Sequence, residues 1–225
     1  MKIFKLLSIG LVIGLAGCGL IILNPNVKGS GTFKTEKRSL ASFNSLDVNL
    51  VGSIQVRSQG QQNVEISGDD NIIPLITTEV KNNTLYIRPS KGYNPQQKLK
   101  IIISTPDIKS FVFDGVGEAN LSNVKNDRVE IVVSGVGSLS ASGETKEADI
   151  TLSGVGSVDA KNLHSVNAKV NSSGVVDILP GVNAQGFWNQ AGIAVKDCLT
   201  SPNPTVDAPT AQILIAAFSS LSLID

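Results

Sequence analysis

The chain has 225 residues, 41% hydrophobic and 17% charged, with 19 basic and 19 acidic side chains and a formal net charge of zero. That is too apolar for a disordered chain and too evenly charged for a protein held to nucleic acid by phosphate contacts. One His and two Cys leave little for a His/Cys metal site or for histidine-based catalysis, and the reading expects no cofactor, no metal and no enzyme.

Residues 1–17 read as an export signal. Lys2 and Lys5 precede an uncharged apolar run, and Leu15-Ala16-Gly17-Cys18 has the form of a bacterial lipobox, with Cys18 carrying the lipid after cleavage. Leu6 to Leu23 is also close to the shortest membrane-spanning length, but glycines at 10, 14 and 17 and the placed Cys favour lipidation. Residues 18–30 read as a tether spacer and 31–225 as the head domain. Gly19 after Cys18, in place of an inner-membrane Asp, points to an outer-membrane lipoprotein on its periplasmic side or at the cell surface. With Cys18 lipidated, Cys198 has no partner and the fold has no disulfide.

Leu46 to Val56 alternates apolar and polar residues, with Gly52 inside the run. Residues 59–110 are β-like but irregular. Glu79 to Ile87 reads as a hairpin around Asn82-Asn83, and Leu99 to Ile103 as a buried strand. Asp69-Asp70-Asn71 could serve Ca²⁺ or acid–base chemistry, but a turn with local side-chain-to-backbone bonds is the simpler reading.

Four repeats dominate the second half. Gly115-Val116-Gly117, Gly135-Val136-Gly137, Gly154-Val155-Gly156 and Gly174-Val175-Val176 begin 20, 19 and 20 residues apart. Phe111, Ile131, Ile150 and Val170 precede them at one offset, and Ala119, Leu139, Val158 and Ile178 follow at another. Period-two alternation on both sides makes each flank a strand, and a fixed period near 20 marks a solenoid. The expected fold is all-β: a right-handed, single-stranded parallel β-helix with coils of about 20 residues and Gly-x-Gly corners. Gly115, Gly117, Gly135, Gly137, Gly154, Gly156 and Gly174 are the turn glycines, expected to supply positive φ. After Gly181 the pattern fails. Phe187, Trp188 and Cys198 lie in this stretch, and 186–225 is a diverged coil, a cap or a sequence error. Ile213 to Leu223 fits the template with its glycines replaced.

The lipobox, Gly29-Ser30-Gly31, the run Asp69 to Val80 followed by Thr84-Leu85-Tyr86-Ile87, and the serial Ser-Gly-x-Gly turns together resemble the head-GIN-domain family of auto-transporter adhesins over about residues 29–185. The resemblance implies a right-handed β-helix related in shape to pectin lyases, no identified catalytic residues, and a role in cell adhesion. Asn203 to Asp207 resembles the family's last repeat without its closing Gly-Ser-Gly.

Where the family commonly places Ser between the paired glycines, this chain has Val116, Val136, Val155 and Val175. Stacked rungs would align them as an apolar ridge, a candidate contact for a partner, a second copy or a membrane surface, unless a segment of the same chain covers it. Motifs for a nucleophile elbow, a P-loop, HExxH or a dinucleotide loop are absent. His164 reads as a solvated loop residue, and Phe187 with Trp188 as core or cap rather than a sugar platform. The leading function is a non-enzymatic, lipid-anchored envelope protein that adheres through its surface, with a glycan or protein ligand or a homo-oligomer as partner and no nucleic acid. The alternatives are a polysaccharide-acting enzyme or carbohydrate-binding protein on the same fold, and a purely structural envelope protein.

Overall fold

A computed structural model describes residues 26–178 and the backbone of strand 183–188. The strands, in chain order, are β1 (Val27–Lys28), β2 (Phe33–Arg38), β3 (Ser45–Val48), β4 (Val51–Ser58), β5 (Asn63–Asp69), β6 (Ile76–Lys81), β7 (Thr84–Pro89), β8 (Tyr93–Asn94), β9 (Lys100–Thr105), β10 (Ser110–Phe113), β11 (Val116–Val133), β12 (Val136–Leu152), β13 (Val155–Ser172), β14 (Val175–Ile178) and β15 (Asn183–Trp188). The described residues are all-β; their one helical piece is a 3-10 turn at Ile73–Leu75. Thirteen strands form one sheet, and β1 with β8 forms a separate pair.

The repeats stack in parallel, residue on residue. Phe111 pairs with Ile131, Ile131 with Ile150, and Ile150 with Val170. The same file continues through Leu46 to Leu85 on one side and to Gly186 on the other. A second buried file runs Ile101, Ile54, Ala119, Leu139, Val158 and Val176. Alternation inserts every second side chain into the core, and each large apolar one adds about 1.5–3 kcal/mol. Because β11 pairs with β4 along its first residues and with β10 along its last, a single strand spans two walls. The sheet therefore wraps, nearly closed, around one core.

The corners depend on two glycine columns with different physical needs. Gly117, Gly137 and Gly156 have φ of +135°, +149° and +153°, a region that only glycine occupies without strain. Gly174 does not have positive φ, nor do Gly115, Gly135 and Gly154, contrary to the expectation for the whole set. Their requirement is close approach: a Cβ on Gly135 would overlap the carbonyl oxygen of Gly115, and one on Gly154 that of Gly135. A second corner has Asn123 at φ +59° and Gly143 at +132°. Beyond it one file is polar, while the next, Val129, Ala148 and Ala168, stays buried and apolar. Thr145 Oγ1 donates to Asn126 Oδ1 at 2.9 Å, and Asn126 Nδ2 donates to the Ile108 carbonyl at 2.7 Å.

Two expectations need correction. A uniform single-stranded parallel coil does not extend over the whole head domain, because β2–β5, β5–β9 and β6–β7 are antiparallel. Between β4 and β11 the chain departs from a regular coil: β6 and β7 form a hairpin whose turn is Asn82-Asn83, with φ +50° and +61°, the hairpin that the sequence indicates. Secondly, the pattern does not stop at Gly181: β15 adds a further parallel strand to β13. Gly186 occupies its slot in the apolar file, so hydrophobic periodicity could not detect it.

Candidate functional site

The ridge is present, with one change of membership. Val116, Val136 and Val155 are in register and 47%, 50% and 73% exposed. Val51 pairs with Val116 and, at 47% exposed, extends the file. Val175 does not belong to it. Although 40% exposed, it pairs with Ser157, two positions out of line, and Gly174 lies against Gly156 and Leu152 rather than in the glycine column. The cause is Val176, which stands where earlier repeats have their second glycine. A β-branched residue cannot take that φ, so the corner shortens and Val176 is buried over Val158. Ser172 Oγ closes the shortened turn, accepting from Gly174 N–H at 3.0 Å and donating to the Gly174 carbonyl at 2.9 Å.

Small polar residues flank the ridge. On one side Asp114 accepts from Asn49 Nδ2 at 2.9 Å and from Ser134 Oγ at 2.8 Å. At the ridge's first member, the Tyr93 hydroxyl both donates to the Val51 carbonyl and accepts its N–H, each at 2.8 Å. Burial pushes the Tyr93 phenol above its usual range, the Val51 N–H partly opposing it.

On the other side lies a groove of about 650 Å³. Its floor is two outward files, Ser53-Glu118-Ser138-Ser157 and Gln55-Asn120-Ser140-Asp159. Lys98 and Lys100 stand at one end, where Lys98 Nζ is 3.2 Å from Glu118 Oε2. Asn120 Nδ2 donates to Ser140 Oγ at 2.7 Å, tying neighbouring rungs. The sequence reading missed this groove, although outward small residues at the same offset in successive repeats were its signal.

The Asp69-Asp70-Asn71 stretch is a turn, closed by Ile72 N–H on the Asp69 carbonyl at 3.0 Å, but its side-chain bonds are not local and make it a clasp. Asp69 is buried and accepts three backbone amides: Gly31 at 2.6 Å, Gln96 at 2.9 Å and Gln97 at 2.9 Å. Burial alone would raise its pKa, but these amides together hold the carboxyl below the usual aspartate range. Asp70 accepts from Ser30 Oγ at 2.5 Å, and Asn71 Oδ1 accepts from Ser30 N–H at 2.9 Å. The Gly29-Ser30-Gly31 loop is shaped by this grip, since a Cβ on Gly29 would overlap the Asp69 carboxylate. Asp69 thus has its oxygens committed to amides, and among the described residues no group of three His, Cys, Asp or Glu side chains could hold a metal ion.

His164 is not in a loop. It lies within β13, exposed, in register with Glu144, which in turn pairs with Lys125. Cys18 and its lipobox, the side chains of Phe187 and Trp188, Cys198 and residues 203–223 lie outside the described residues. Among the described residues no helix is long and apolar enough to cross a membrane.

Residues 42–185, more than half the chain, match the family described as "putative auto-transporter adhesin, head GIN domain". The chain belongs to this family. Among solved structures, a putative adhesin from Bacteroides fragilis is similar at 26% identity and a TM-score of 0.59, over 72% of this chain and 87% of that one. A putative adhesin from Parabacteroides merdae matches at 19% identity and a TM-score of 0.49, over 72% of this chain and 78% of that one. No curated protein matches. The matched residues include the glycine columns, the ridge and the groove in full.

Proposed function

We propose that this head-GIN-domain chain is a non-enzymatic adhesion module of the cell envelope that makes contact through its valine ridge. The observation that carries the reading is the in-register row of Val51, Val116, Val136 and Val155, each close to half exposed or more on a rigid corner. Outward β-branched residues on a paired backbone lose little entropy on contact, and a contiguous apolar strip on an otherwise polar face is a contact surface. The parallel rungs form the body of a right-handed β-helix, and Cys18 anchors it by lipid to the outer membrane.

The deciding experiment replaces the four ridge valines with Ser. The variant is expected to keep its fold and to lose attachment of expressing cells to host-cell and abiotic surfaces. Unchanged attachment would remove the reading. For the anchor, C18S is expected to abolish radiolabelled fatty-acid incorporation and release the chain from the membrane fraction.

A further inference from the structure

A second surface beside the ridge has its own chemistry. Six of the eight floor residues are Ser or carboxamide side chains, the other two being Glu118 and Asp159, and they repeat rung by rung, about 4.8 Å apart. Each hydroxyl and each carboxamide both donates and accepts. We propose that this groove binds a linear, uncharged oligosaccharide lying along the direction in which the rungs stack.

Other ligand classes fit the groove poorly. β4, β11 and β12 have ladder partners on both sides, so their backbone offers no edge to which an extended peptide could add as a strand. Two lysines, Lys98 and Lys100, are matched by Glu118 and Asp159, leaving no surplus cation for a phosphate chain or a polyuronate. An aliphatic chain would desolvate the hydroxyls of Ser138, Ser140 and Ser157 without replacing their hydrogen bonds. A polyol satisfies donors and acceptors alike, and the rung spacing is of the order of one pyranose ring. The volume is within the usual range for a ligand site and suits a short oligomer. Because no aromatic ring lines the groove, binding rests on hydrogen bonds and is weak, on the order of millimolar.

The test is saturation-transfer NMR with the full chain in detergent. Its probes are hexamers of β-1,4-glucose, α-1,6-glucose and β-1,4-N-acetylglucosamine, with hexagalacturonate and a Gly-Ser repeat peptide as comparators. At least one neutral hexamer is expected to bind. The double variant N120A/S140A and the groove-filling S138M are each expected to weaken it at least tenfold. S153M, on the far side of the ridge, is expected to leave it unchanged, and matching circular dichroism spectra establish that all variants are folded. Binding of no neutral hexamer, binding only of hexagalacturonate or the peptide, or equal binding by the groove variants would overturn the proposal. The proposal is independent of the ridge reading, because the four-valine variant retains both polar files.

Discussion

Gly137 rests on Gly117, whose carbonyl oxygen occupies the place where a side chain on residue 137 would begin. Gly156 repeats the relationship on Gly137. Here the backbone of one rung is the packing surface of the next. G137A should therefore combine a φ that alanine resists with a backbone overlap, lowering stability by roughly 2–4 kcal/mol in urea denaturation. S134A, on the exposed flank of the same corner, should cost no more than about 1 kcal/mol.

Inner and outer residues of one rung should differ sharply. Ile150 is buried between Ile131 and Val170. I150A should cost about 2–4 kcal/mol, whereas V136S on the ridge should change stability by less than about 0.5 kcal/mol. Equal losses would mean that the ridge is packed rather than presented.

The Asp69 clasp sets an acid limit. Above the ordinary aspartate value of 3.8 the carboxyl is charged in folded and unfolded chains alike, and its stabilisation is complete. As pH falls below that value the unfolded chain takes up the proton first, and the stabilisation disappears as pH passes through the lowered folded value. D69N should flatten this part of the pH–stability curve. At neutral pH it should speed hydrogen exchange either at the Gly31 amide, which bonds Oδ1, or at the Gln96 and Gln97 amides, which share Oδ2, because Asn keeps only one of the two accepting oxygens.

Tyr93 sets the alkaline counterpart. Its folded pKa lies above the ordinary 10.0, so the protonated phenol's contribution is complete below pH 10 and is lost as pH rises toward the folded value. Y93F leaves the Val51 N–H and carbonyl without their partner and should cost about 1–3 kcal/mol at neutral pH. It should also abolish that alkaline loss in a pH series of thermal melts.

The hairpin at residues 82 and 83 should respond to turn chemistry alone. Both residues take left-handed φ, which Asn tolerates and Gly prefers. N83G should raise stability by a few tenths of a kcal/mol or more, and N83V should lower it by about 1–2 kcal/mol, read from the same denaturation curves.

The second half of the fold was legible because one residue class returned to one wall every 19 or 20 positions. Ile131, Ile150 and Val170 specify a file without reference to the rest of the chain. The first half was harder. Hairpins and parallel rungs share the same alternation, so Val64 and Ile66 indicate a strand but not the direction of its neighbour. Register failed where a single substitution changed the corner: Val176 in a glycine slot moved Val175 out of the ridge. The Asp69 clasp could not be read because its partners, Gly31, Gln96 and Gln97, are backbone amides distant in sequence, and amides leave no compositional trace. The groove escaped because it is defined by side-chain volume that is missing.

The clasp also orders events during synthesis. Residues 28–31 leave the ribosome ahead of Asp69, and Asp69 ahead of Gln96 and Gln97, so the first part of the head to be made is among the last to be fastened. Rungs β11 to β13 can zip onto one another through neighbours 19 or 20 residues away, whereas this closure must join three remote stretches. A nascent head thus keeps a loose leading end until its middle has emerged.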